Sequence, residues 1–108
     1  MRKANVYRNN EFVGILSEEN PTLFVFQYDE NWLLDSSKPS VSLTLPKAQK
    51  VFTSPNLFPF FFNMLSEGMN KQIQCRLLKI DEKDHFGLLL ATAQNDTLGA
   101  ITVKPINV

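Results

Sequence analysis

Catalysis needs a nucleophile, a base and something to stabilise charge, and this sequence offers one histidine, His85, and one cysteine, Cys75. His85 stands between Asp84 and Phe86 at the expected start of a helix, where an imidazole reads as a surface residue rather than a general base. Cys75 falls near the apolar side of another expected helix and reads as a buried, inert thiol. One Cys and one His cannot supply the usual four ligands of a zinc site. Asp81, Glu82 and Asp84 gather oxygens, but a calcium loop also needs a central glycine and a distal glutamate. That cluster reads as a helix junction facing water. Gly14, Gly68, Gly87 and Gly99 stand apart, so no phosphate-cradling loop can be written, and the His-Arg-Asp and Asp-Phe-Gly signatures of protein kinases are missing. No catalytic residue, metal or cofactor is expected, and the chain is read as a non-enzyme.

The whole chain bounds the rest. Its 108 residues suit one domain, 1–108, and 44% hydrophobic content with nine phenylalanines can fill one core. Eleven basic residues balance eleven acidic ones, and the basic residues are scattered. No net field draws in phosphate backbones or anionic lipid, so direct nucleic-acid and membrane binding are not expected. A single cysteine argues against a disulfide-stapled secreted domain, and the start of the chain carries no signal-peptide pattern. The longest apolar cluster, 57–62, is far short of the roughly 20 residues that span a bilayer. A cytoplasmic location is expected.

The positioning elements follow from periodicity. Ala4–Tyr7 and Phe12–Leu16 flank Asn9-Asn10, the composition of a hairpin with left-handed turn residues. A third strand, Thr22–Tyr28, puts Leu23 and Val25 on one face and Phe24, Phe26 and Tyr28 on the other, so both faces are expected to be covered. Val41–Leu45 alternates and stops at Pro46, a fourth strand; 47–54 is a turn with a short strand at Val51-Phe52. A helix over Asn56–Leu65 would align Phe58, Phe61, Phe62 and Leu65, with Phe60 on the other side and Gly68 as its stop. Met69, Ile73, Leu77 and Ile80 mark a second helical stripe, and Phe86, Leu89, Leu90 and Ala93 a third, ended by Asn95-Asp96. Leu98–Val103 returns as a last strand. The fold class is α+β: a small, mostly antiparallel sheet of about five strands with two to three helices in the C-terminal half.

Read in order, the segments Tyr7…Val13-Gly14-Ile15-Leu16, Phe26-Gln27-Tyr28-Asp29…Trp32-Leu33 and Ser40-Val41-Ser42-Leu43-Thr44-Leu45-Pro46 resemble the start of HipA-type proteins. Phe60-Phe61-Phe62-Asn63-Met64-Leu65-Ser66-Glu67-Gly68 is similar to that family's F-F-x-N-L-L-P-E-G stretch, with Ser66 in place of its proline. Asp84-His85-Phe86-Gly87-Leu88-Leu89 and Gly99-Ala100-Ile101-Thr102-Val103 match its later motifs. The resemblance implies the N-terminal subdomain of bacterial toxin kinases, without their ATP-binding or catalytic residues. In some such toxin–antitoxin systems this piece is a separate small protein that neutralises a shortened kinase. The implied partner is a HipT- or HipA-type serine/threonine kinase, with a HipB-type DNA-binding protein as a further one. The rival is an N-terminal fragment of a full HipA. Trp32 and the phenylalanines of 57–62 exceed what one small core needs, and exposed aromatics anchor interfaces. A partner interface is therefore expected at Trp32, Phe58, Phe60, Asn63, Ser66 and Glu67, with most other phenylalanines in the core.

Overall fold

The computed structural model describes residues 2–65, 68–93 and 100–106. Five strands, β1 (Arg2–Arg8), β2 (Glu11–Asn20), β3 (Leu23–Tyr28), β4 (Val51–Ser54) and β5 (Ile101–Pro105), form one antiparallel sheet in the order β4-β3-β2-β1-β5. Four helices, α1 (Glu30–Leu34), α2 (Pro59–Phe62), α3 (Gly68–Leu78) and α4 (His85–Thr92), complete the described α+β fold, three of them in the second half.

The β1–β2 turn is where the sequence placed it. Asn9 and Asn10 sit at φ 49° and 67°, the left-handed region that a two-residue hairpin turn demands and that asparagine tolerates. The register then fixes the core. Ala4, Leu16, Phe26 and Phe52 lie side by side across four strands, so one sheet face becomes continuously apolar. Ala4, Leu16 and Phe26 are fully buried. In the adjacent row Val6 pairs with Gly14, and Gly14 with Tyr28. Gly14 is obligatory there, because a Cβ would collide with the carbonyl oxygen of Gln27.

Among the described residues only this face is covered. Leu23 and Val25 remain half-exposed, and Ile15 and Val51 open to solvent, so the expectation of two covered faces on β3 does not hold. The helical layer supplies Phe61, Phe86, Leu88 and Leu89 on one side only. Rings meet across that interface at 5.7 Å between Phe26 and Phe61 and 6.1 Å between Phe24 and Phe86. At its end α4 is tied to the sheet, Val103 N–H donating to the carbonyl of Ala93 at 2.7 Å.

Val41–Leu45 is not a strand. Ser42 and Leu45 form a single bridge around a turn, and β4 at Val51–Ser54 takes the place beside β3. The cause is Tyr28: its hydroxyl accepts from Val41 N–H at 2.9 Å and donates to the carbonyl of Leu45, capturing main-chain groups a ladder would have used. The expected helix over 56–65 shrinks to one turn that starts at Pro59, a residue without the N–H that an earlier start would require. Gly68 opens α3 rather than closing its predecessor. Lys79 instead ends α3 at φ 57°, with Ile80 N–H donating to the Cys75 carbonyl five residues back. Leu98 and Asn95-Asp96 lie outside the described residues.

Candidate docking surface

Four of the expected interface residues fall within the described structure, and they part company. Trp32 is only 4% exposed, on α1, and its indole N–H donates to the carbonyl of Pro39 at 2.9 Å. Phe58 is 7% exposed in the core. The exposure expected of these two is therefore absent: a tryptophan beside a loop is buried here because the loop folds back over it, with Lys38 Nζ 5.4 Å from its ring centre. Phe60 is half-buried, edge-on to Phe61 at 5.2 Å. Asn63 is exposed, and Ser66 and Glu67 lie outside the described residues.

Exposed apolar side chains appear elsewhere. Phe62, expected in the buried stripe, is 40% exposed, because the single turn of α2 gives its inward place to Phe61. On α3 the amphipathic face is turned outward: Ile73 is 46% exposed and Leu77 76%, while Lys71 and Gln74 are half-buried and Cys75 is buried. Ile73 and Leu77, one turn apart, lie about half a turn round the helix from Cys75. Leu78 is exposed as well. The inward side even leaves Gln74 Oε1 buried without a hydrogen-bond partner, a cost that packing the aliphatic side inward would have avoided.

A cleft of about 440 Å³ is lined by Phe24, Asn56, Leu57, Phe62, Asp84 and His85, among others. Its carboxylates, Glu18 and Asp84, are already engaged. Arg2 donates twice to Asp84, at 2.7 and 3.0 Å, and once to Glu18 at 2.9 Å, and its guanidinium lies 5.3 Å from the Phe86 ring centre. Asp84 also caps α4, accepting from Gly87 N–H at 3.1 Å. The Arg2 guanidinium, helped by that N–H, holds the Asp84 carboxyl below its ordinary value, and the carboxylates in turn raise Arg2. A Cβ on Gly87 would strike the Asp84 carboxylate, so glycine here is what lets the clasp close. His85 packs edge-on to Phe62 at 4.9 Å, with Lys71 Nζ 3.5 Å from its Nδ1. Burial, and then the Lys71 charge, push its pKa down, favouring the neutral ring. Cys75 is buried and free. The cleft's carboxylates are thus braces for α4 rather than free acids or bases.

Among the described residues no group of three or more His, Cys, Asp or Glu side chains converges on a metal position, and no helix is long and apolar enough to cross a membrane. Sequence reasoning missed both the outward face of α3 and the Arg2 clasp. No local signal marks the first: the side opposite Ile73 and Leu77 offers only Cys75 and Leu78 among polar residues, a composition that would turn the aliphatic side inward.

Comparison with known proteins accounts for this architecture. A family model described as HipA N-terminal domain matches residues 4–104. A solved structure of the N-terminal domain of HipA toxin superposes with a TM-score of 0.75 at 31% identity, covering 99% of this chain and 94% of that one. An uncharacterised protein of Haemophilus influenzae is 34% identical over 104 residues, 96% of this chain and 92% of its own length. A putative kinase of Sinorhizobium fredii is 28% identical over 105 residues, and there the chain spans only 25% of the relative's length. These likenesses run from the first strand to the last, and this chain belongs to the HipA N-terminal domain family.

Proposed function

We propose that this chain is a non-catalytic, HipS-like subunit of a bacterial toxin–antitoxin system that binds a HipT- or HipA-type serine/threonine kinase in the cytoplasm and holds it inactive. The observation that carries the reading is α3, whose aliphatic side chains Ile73 and Leu77 face solvent while Cys75 packs inward with Lys71 and Gln74 half-buried. An apolar face of this kind on a small domain is a place for a partner, because leaving it wet forfeits burial and invites aggregation. The Haemophilus relative, matched over 92% of its length, supports a separately encoded form.

The test is to add the purified chain to its cognate kinase and follow autophosphorylation. Phosphate incorporation should fall as the chain approaches stoichiometry, and Leu77→Glu should weaken the complex about tenfold or more. If neither binding nor inhibition occurs, the reading fails. A second reading rests on the Sinorhizobium relative, in which the matched region is a quarter of a putative kinase. In it the domain packs on the kinase core of a longer chain and touches a HipB-type DNA-binding partner. An open reading frame that runs on into kinase signatures would select it.

A further inference from the structure

Among the described residues one large apolar side chain is almost wholly exposed while its backbone is held: Leu43, 99% exposed at the tip of the turn between Val41 and Leu45. Both flanks of the turn are anchored in the core, Val41 at 7% and Leu45 at 2% exposure. The Tyr28 hydroxyl bonds to main-chain groups at each flank, Ser42 and Leu45 bridge, and Thr44 N–H donates to Ser42 Oγ at 3.2 Å. The base is fastened too. Lys47 Nζ donates to the carbonyls of Asp35 and Lys38 at 2.6 and 2.7 Å, and Lys47 N–H donates to Ser40 Oγ at 2.9 Å.

A leucine on a slack loop gains little on binding, since ordering the loop offsets the apolar burial. A leucine on a braced turn avoids that loss. We infer that the turn at 41–45 is a preformed insertion element, which seats Leu43 in an apolar, acid-rimmed pocket of the kinase partner. The choice of partner rests on the function proposed above. It is supported by the Sinorhizobium relative, where three-quarters of a putative kinase lies outside the matched region and is available to receive such a turn. The acidic rim follows from charge: Lys38 is paired with Glu11, and Lys47 and Lys50 then stand against Asp35 in residues 35–50.

The test places the photocrosslinker p-benzoylphenylalanine at position 43, and separately at position 77, in the full chain expressed in the cells that encode it. Mass spectrometry then identifies what is captured. Capture at position 43 of a chain bearing protein-kinase signatures supports the inference. Capture of that chain at position 77 alone overturns the insertion turn while leaving the kinase-binding reading standing. No capture at either position removes both. Capture at 43 of a second copy of this chain, or of a protein of another class, also overturns the inference. Against the captured kinase, Leu43→Ser should weaken binding about tenfold or more with an unchanged melting temperature, and Leu43→Met should restore most of it. Wild-type affinity in Leu43→Ser would refute the proposal.

Discussion

Helices α3 and α4 carry similar sequence signals and have opposite fates. Each spaces large apolar residues by three and four, yet α4 buries Phe86, Leu88 and Leu89 while α3 buries Cys75 and turns Ile73 and Leu77 to water. The difference lies in what fixes each helix's rotation. α4 is pinned at its start by the Arg2–Asp84 clasp and at its end by the bond from Val103 to Ala93, so its apolar side must face the sheet. α3 has a well-formed C-terminal cap, but caps set where a helix ends and not which way it faces. Periodicity announces a stripe; only the neighbours decide whether that stripe meets the core or a partner.

The comparison can be broken most forcefully in the core. Leu89→Ala should cost about 3 kcal/mol, the usual result of emptying a buried leucine site, whereas Leu77→Ala should stay within about 0.5 kcal/mol. Chemical denaturation of both variants checks this, and similar losses would show that α3 packs as α4 does. Next in size is the clasp. Asp84→Ala removes a helix cap and a partly exposed ion pair and should cost about 1–2 kcal/mol at neutral pH. Because the folded carboxyl titrates below its ordinary value of 3.8, its contribution is present above that pH and fades as pH falls through the lower folded value. The stability gap between wild type and Asp84→Ala should therefore narrow below pH 3.8. Acid titration followed by circular dichroism measures it.

A smaller effect sharpens the boundary between the two helices. Lys71 on α3 lowers the pKa of His85 on α4, so Lys71→Gln should move the His85 midpoint up toward 6.5, read from imidazole proton shifts in NMR. An unmoved midpoint would mean that the two side chains do not sense each other in solution.

The sheet was the more legible half. Asn9-Asn10, the β-branched and aromatic composition of the first three strands and the returning last strand all reflect local rules, and the register follows once one face must be apolar. Val41–Leu45 misled because alternation also describes a turn with two buried flanks. Nothing local reveals that a tyrosine thirteen residues earlier would take its hydrogen bonds. How far the expected interface residues are exposed could not be read locally for a similar reason. Aromatic content suggested Trp32 and Phe58, yet both are buried, while Phe62 and the aliphatic Ile73 and Leu77 reach the surface. Arg2 was unreadable because its partner lies 82 residues away.

The Tyr28 hydroxyl has a consequence for how such a protein could diversify. Both of its bonds to the turn are with main-chain atoms, so the brace places little demand on the side chains between Val41 and Leu45. Scaffold and tip are thereby separated: position 43 can be rewritten while the Tyr28 bonds persist, whereas the Ser42 hydroxyl is itself a brace, accepting from Thr44 N–H. A change of side chain at position 43 therefore leaves the fold's own bonds in place, and an engineer could vary that tip without remaking the scaffold.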